Sequence, residues 1–206
     1  MSTYYNIFIS LVLILSFGCA HKLKGLKINA TQAKMALSES QFHNGGAPFG
    51  SYLTLDLNYT EYHKIYLKLK KTYPHLKTRG EAHITVLTPV EYHQILSDKL
   101  SIQEIYQLAN ELNIQKASFE VLCLGQGRKE IKGKIESTFY LVINSKDLLD
   151  LRTKILDLYL NKGGEKSFEP TKYYPHITIG FTQRDLHESD GIIKNTNSCV
   201  RDIVLE

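Results

Sequence analysis

Two tetrapeptides in distant parts of the chain each place a threonine two residues after a histidine. They are His83-Ile84-Thr85-Val86 and His176-Ile177-Thr178-Ile179. Residues two apart in a β-strand project from the same face, so each imidazole should lie beside a hydroxyl group while the isoleucine between them points into a core. We therefore expect two strands that each present a histidine and a threonine on one face.

These four side chains, His83, Thr85, His176 and Thr178, suit the cleavage of a phosphodiester. In-line cleavage needs a base that deprotonates the attacking hydroxyl or water and an acid that protonates the leaving oxygen. Imidazoles titrate near neutral pH and can do both, and threonine hydroxyls can donate to the non-bridging oxygens. Since no carboxylate or cysteine lies at a metal-ligand spacing from either histidine, we expect neither a metal nor a cofactor.

Residues around the motifs are candidates for substrate binding, each with a structural alternative. Tyr173, Tyr174 and Phe181 flank the second motif, where their rings can stack on a base or pack in the core. Arg79 can neutralise a phosphate or can be an exposed cation at a strand end. Glu81 has the strand parity of the first histidine and can orient it, or can be a solvated carboxylate. The sequence leaves both interpretations open for each residue.

Hydrophobic periodicity predicts an α+β domain that positions these motifs. Alternating apolar residues indicate strands, apolar residues at helical spacing indicate helices, and Gly, Pro and Asn mark the boundaries. The Gly- and Lys-rich residues 125–134 are predicted as a mobile hairpin loop. The order of elements predicts two related αβ lobes with pseudo-twofold symmetry, each containing one strand that begins with a histidine. The predicted strands cover residues 49–57, 82–87, 118–124, 137–144, 176–181 and 199–205, and the predicted helices cover 61–72, 91–96, 102–112 and 146–160. Ser101 is the predicted N-cap of the helix over 102–112.

The chain begins with an apolar segment typical of export. Residues 7–17 form an unbroken run without charged residues, apolar except for two serines, which is about as long as a signal-peptide core and too short to span a bilayer comfortably. No Lys or Arg precedes this run, so an uncleaved anchor is an alternative, as is lipidation of Cys19. We therefore predict a secreted or exported protein, with membrane attachment through the N-terminus where the segment is kept. The predicted boundaries are 1–20 for the signal peptide or anchor, 21–48 for a linker and 49–206 for the folded domain.

Composition and cysteine content limit the partners. The formal net charge is +4 and 43% of the residues are hydrophobic, which excludes disordered and collagen-like classes. So small a positive balance permits an anionic substrate and does not imply a stable nucleic-acid complex; we expect a monomer. Cys123 and Cys199 either pair in an oxidising compartment or are two unrelated buried thiols.

The two tetrapeptides match the paired signature of the two-histidine (2H) phosphoesterases, a family that this chain resembles from about residue 50 to residue 205. The segment Arg79-Gly80-Glu81-Ala82-His83-Ile84-Thr85-Val86-Leu87-Thr88-Pro89 further resembles the branch found in Swiss-army-knife RNA-repair-like proteins. The resemblance implies a bilobed fold with antiparallel sheets around a central groove across which the four motif residues face each other. It also implies metal-independent catalysis.

The same resemblance implies a cyclic phosphodiesterase, a phosphoric diester hydrolase acting on the 2′,3′-cyclic phosphate of RNA ends or nucleotides. An exported module of the same fold that binds a nucleotide or phosphate without turnover is the alternative. The sequence favours the enzyme, because all four motif residue types are present.

Overall fold

The computed structural model describes residues 32–37 and 50–201. The predicted signal peptide or anchor lies outside the described residues, as do both ends of the predicted linker. The described strands are β1 (Gln32–Leu37), β2 (Ser51–Leu57), β3 (Ala82–Leu87), β4 (Glu120–Ile131), β5 (Lys134–Asn144), β6 (His176–Phe181) and β7 (Cys199–Arg201). The described α-helices are α1 (Tyr59–Thr72), α2 (Pro89–Gln94), α3 (Ile102–Glu111) and α4 (Lys146–Asn161).

Side-chain caps fix where the helices begin. The Asn58 side chain accepts a hydrogen bond from the second residue of α1. At α2, Thr88 Oγ1 accepts from Glu91 N and the Glu91 carboxylate accepts from Thr88 N, a reciprocal capping box that satisfies two backbone donors. Ser101 caps α3 in the same way, as the sequence predicts, and Ser145 caps α4. The helix starts are therefore determined locally by sequence.

The strands form two antiparallel sheets, with the strand orders β1-β2-β3 and β6-β5-β4-β7. β3 and β6, which carry the two histidine motifs, are edge strands of different sheets, and they lie next to each other. Lys77 and Phe181 exchange backbone hydrogen bonds of 2.8 and 3.0 Å, which join the segment before β3 to the end of β6. The predicted α+β class with antiparallel sheets is confirmed. The predicted bilobed arrangement and its pseudo-twofold symmetry stay predictions.

One hydrophobic core underlies both sheets. It includes the isoleucines at the centre of each motif and the apolar faces of α1, α3 and α4. Because both motif strands contribute to the same core, packing holds the two motifs in a fixed relation. Fully buried representatives are Leu53, Leu55, Ile84, Ile105, Leu141, Ile155 and Ile177.

The connection between β4 and β5 is a tight turn, so the prediction of a mobile loop over residues 125–134 is wrong. The two strands pair along their whole length, and only Lys132 and Gly133 turn the chain, with φ of 52° and 74°. Positive φ at both central residues is typical of a two-residue hairpin turn. Gly125 and Gly127 lie within β4, at positions where a Cβ would come within 2.4 Å of Tyr140 and Ile192, respectively. The glycines therefore permit close packing on the strand.

Three further features concern the predicted boundaries, the cysteines and the membrane. Gln32–Leu37, inside the segment predicted as a linker, forms a strand that pairs antiparallel with β2, and the predicted domain boundaries stay predictions. Cys123 and Cys199 form a disulfide with their Cα atoms 5.8 Å apart. Among the described residues, no helix combines the length and hydrophobicity needed to cross a bilayer.

Candidate active site

Burial alternates along both motif strands as the period-two pattern predicts. In β3, His83 and Thr85 are partly exposed and the residues on either side of each are buried. In β6, His176 and Thr178 are partly exposed around a fully buried Ile177. Each strand therefore presents an imidazole and a hydroxyl group on its accessible face.

The two motif strands lie side by side, and further interactions connect them. The Tyr173 hydroxyl, from the loop before β6, donates a 3.0 Å hydrogen bond to the Thr85 carbonyl oxygen in β3. Burial lowers the pKa of both His83 and His176, and the charge of the buried Asp185 carboxylate opposes this lowering at both rings. Both imidazoles thus lie within electrostatic reach of one carboxylate, although they belong to different sheets.

His83 lies among carboxylates. Its Nδ1 is 3.6 Å from Glu81 Oε1, and Asp56 is its partner across the β2-β3 pair. Burial lowers the pKa of His83 below the ordinary value of 6.5, and the nearby Arg79 guanidinium lowers it further, while the charges of Glu81 and Asp56 oppose the shift. Glu81 therefore lies close to His83 with its side chain 58% exposed, and its role in orienting the ring stays a prediction.

His176 is held at both ring nitrogens. Its Nδ1 is 2.8 Å from the Tyr174 carbonyl oxygen, and its Nε2 is 3.1 Å from Lys194 Nζ. A carbonyl can only accept a hydrogen bond, so Nδ1 carries the proton and Nε2 offers a lone pair to the ammonium group. Burial and the Lys194 charge lower the pKa of His176 to about 3. His176 is therefore neutral near pH 7.

Asp185 is the centre of a buried polar network. Its side chain is 4% exposed and accepts hydrogen bonds from Thr178 Oγ1 (3.0 Å), Thr138 Oγ1 (3.0 Å) and Lys194 Nζ (2.9 Å). Arg79 Nη2 lies 3.4 Å from Asp185 Oδ2, the oxygen that accepts from Thr178. Burial alone would raise the pKa of the Asp185 carboxyl, but Lys194 outweighs it and the pKa falls to about 2. The network ties the second motif to a buried ion pair.

Sequence reasoning misses Asp185 and Lys194. Both follow β6 in a stretch of mixed charges that resembles a solvated linker. No regular spacing links either residue to the motifs, because each lies in a loop that returns to the sheet. The only sequence hint is apolar company, since buried Leu186 follows Asp185 and two isoleucines precede Lys194.

The four predicted substrate-binding residues lie around the motif strands. The Arg79 side chain is 40% exposed beside Asp185, and the partly exposed Phe181 ends β6. Tyr174 holds His176 through its backbone, and the ring of Tyr173 lies 4.5 Å from the guanidinium of Arg152. Their roles in binding a phosphate or a base stay predictions.

A buried arginine on α4 fixes the loop before β6. Arg152 is 1% exposed and donates to the carbonyl oxygens of Val86 (2.8 Å) and Pro170 (3.0 Å). It also forms a 2.7 Å ion pair with Glu91. Because Val86 lies in β3 and Pro170 lies in the loop that leads to β6, this one side chain links the supports of both motifs.

No three His, Cys, Asp or Glu side chains within the described part of the chain are grouped as a metal site. Near the two imidazoles, the Asp185 carboxylate is paired with Lys194, and the Glu81 side chain is 58% exposed. Proton transfer near neutral pH is chemistry that the imidazoles of His83 and His176 are able to supply.

Comparison with known proteins identifies the domain. No curated protein and no solved structure matches the chain. The family model described as "Swiss Army Knife, 2H phosphoesterase domain" matches residues 51–187, which is more than half of the chain and includes both motifs. This family supports a hydrolase activity of the phosphodiesterase type. The chain therefore belongs to the Swiss Army Knife branch of the 2H phosphoesterases.

Proposed function

We propose that this protein is a metal-independent phosphodiesterase that opens the 2′,3′-cyclic phosphate of RNA ends or nucleotides. His83 and His176 act as general acid and base, and Thr85 and Thr178 bind the phosphate. The adjacency of β3 and β6 carries the proposal, because the strands that bear the two imidazole and hydroxyl pairs come from distant parts of the chain and lie side by side.

The proposed reaction uses both strands at one phosphorus atom. A base on one side removes a proton from water as the water oxygen bonds to phosphorus, and an acid on the other side protonates the ribose oxygen as its bond to phosphorus breaks. Hydroxyl donors beside the rings stabilise the charge that develops on the non-bridging oxygens. Thr178 now donates to Asp185, so its hydroxyl must rotate when phosphate binds.

The test is turnover of a panel of cyclic phosphates in excess chelator. We expect hydrolysis of at least one 2′,3′-cyclic nucleotide, and a loss of about 100-fold or more in kcat when His83 or His176 is replaced by Ala. His75→Ala is the matched control, because His75 is exposed in the turn after α1. Full turnover in either motif variant, or a requirement for metal, would reject the proposal.

An inactive nucleotide- or phosphate-binding module of the same fold is the second candidate. It is favoured by the internal hydrogen bonds of the second motif, where Lys194 occupies His176 Nε2 and Thr178 donates to Asp185. Tight binding of a 2′- or 3′-nucleotide by a protein without turnover on any member of the panel would select this candidate.

We also propose that the chain is exported. The apolar segment at residues 7–17 is typical of a signal peptide, and the Cys123–Cys199 disulfide is typical of an oxidising compartment. A fusion of residues 1–48 to a reporter that is active only after export tests this proposal. We expect reporter activity that is lost on deletion of residues 1–20; activity without that segment would contradict the proposed signal.

A further inference from the structure

Lys194 lies against the ring nitrogen through which His176 would act. Its Nζ is 3.1 Å from His176 Nε2 and 2.9 Å from Asp185 Oδ1, and its side chain is only 3% exposed. Lysine is almost never buried to this degree without a partner. The family match ends at residue 187, so Lys194 lies beyond the matched residues.

The hydrogen bonds at His176 select one protonation state. The Tyr174 carbonyl oxygen at Nδ1 requires a proton on that nitrogen. The ammonium of Lys194 at Nε2 requires a lone pair there, because two N–H groups facing each other would repel. Only the neutral imidazole with its proton on Nδ1 satisfies both neighbours.

We propose that Lys194 is a positioning residue that holds His176 in this neutral tautomer and so makes His176 the general base, leaving the acid role to His83. The inference rests on the proposed function for its catalytic consequence. Its structural part, the tautomer of His176, stands on the hydrogen bonds alone.

The ammonium must release Nε2 for the reaction to proceed. A phosphate oxygen that enters beside His176 gives a Lys194 N–H another acceptor, and the freed Nε2 lone pair can then accept from the attacking water. That water gives its proton to Nε2 while its oxygen bonds to phosphorus. The bond from phosphorus to the leaving oxygen breaks, and the leaving oxygen takes a proton from His83.

Burial lowers the pKa of both histidines, but the charges around them differ. Burial lowers the pKa of His176, the Lys194 charge lowers it further, and the Asp185 charge opposes this lowering only in part. Around His83 several carboxylates oppose the effect of burial. The titratable or charged groups that face His176 come from the segment after β6 and from β5; they are Lys194, Asp185, His187 and Tyr140. Those that face His83 come from the segment before β3, from β2 and from the segment after β6; they are Arg79, Glu81, Asp56 and Asp185.

The test is a pH titration of the imidazole nitrogens by NMR in the ligand-free, full-length protein. His176→Gln identifies the His176 signals. In the wild type we expect a proton on Nδ1 and a neutral ring down to about pH 5. In Lys194→Met we expect the pKa of His176 to rise by about 1–3 units, because a like charge has been removed from its side. The acid limb of kcat/KM should move to higher pH in the same variant.

Two further variants keep the test decisive. Lys77→Met removes a lysine whose Nζ bonds to exposed Gln183, and it should leave the His176 titration unchanged. Lys194→Met combined with Asp185→Asn removes both charges of the buried pair and serves if the single variant fails to fold. The pKa of His176 should still rise in it, because Lys194 acts on His176 more strongly than Asp185 does.

An unchanged pKa of His176 in the Lys194 variants, or a proton on Nε2 in the wild type, would overturn the inference. The proposed function fails separately. If the pKa shifts as expected while no cyclic phosphate is hydrolysed, the tautomer assignment stands and the base role is withdrawn together with the proposed activity.

Discussion

Two buried cationic side chains, Arg152 and Lys194, have different roles. Arg152 makes its hydrogen bonds mainly to backbone carbonyls and holds β3 and the loop before β6 together. Lys194 bonds to a motif histidine and to Asp185. We therefore expect the removal of Arg152 to affect folding first, and the removal of Lys194 to affect the titration of the site.

Replacement of Arg152 by Leu should lower the free energy of unfolding by about 3–5 kcal/mol, because it removes the donor to the Val86 and Pro170 carbonyls and breaks the buried ion pair with Glu91. Urea denaturation measures this change. Lys154→Met is the control on the same helix, since its pair with Asp157 is exposed and should contribute less than about 1 kcal/mol. Equal effects of the two substitutions would contradict the role given to Arg152.

Acid should destabilise the protein through His176 and Asp185. The folded-state pKa of His176 is about 3 against an ordinary 6.5, so between these values the unfolded state binds a proton that the folded state does not, and stability falls as pH falls. The pKa of Asp185 is about 2 in the folded state against 3.8, so its contribution is present above 3.8 and is lost as pH falls toward 2.

Urea midpoints at pH 7, 6, 5 and 4 measure this dependence. His176→Gln should flatten it by up to about 1.4 kcal/mol per pH unit, whereas the exposed His75→Gln should follow the wild type. A His176 variant with an unchanged slope would show that this ring does not set the acid sensitivity.

At the element scale, local signals predict much of the fold. The two motif strands agree with their predicted ranges at both ends, and Ser101 caps α3 as expected. The Gly and Lys residues at 125–134 predict a hairpin loop, but the strands continue through most of this segment, because the glycines accommodate Tyr140 and Ile192. That requirement is tertiary and leaves no local periodicity. The same reason explains why the roles of Asp185 and Lys194 were not predicted.

The two glycines of β4 give a matched test of this packing. A Cβ at Gly125 would lie 2.4 Å from the ring of Tyr140, which is fully buried against His176. A Cβ at Gly127 would meet the Cγ2 methyl of Ile192 at 2.4 Å, at the end of a side chain that is only partly buried. We expect Gly125→Ala to cost about 1–3 kcal/mol in denaturation experiments and Gly127→Ala to cost less. The reverse order would contradict the proposed packing of β4.

At the scale of the whole molecule, the site depends on two sheets that meet at their edges. The backbone pair of Lys77 and Phe181, the Tyr173 hydrogen bond to β3 and the common core all hold β3 beside β6. The disulfide from Cys123 in β4 to Cys199 closes the segment that carries Asp185 and Lys194. The polar network at Asp185 joins groups from β5, from β6, from the segment before β3 and from the C-terminal segment.

The most direct measurement is a crystal structure of the protein with a bound 2′- or 3′-nucleotide, the product of the proposed reaction. We expect one phosphate group within hydrogen-bond distance, about 3 Å, of ring nitrogens from both His83 and His176, with the Thr85 and Thr178 hydroxyls turned toward it. A phosphate that reaches only one of the two histidines, or that binds elsewhere on the protein, would contradict the proposed site.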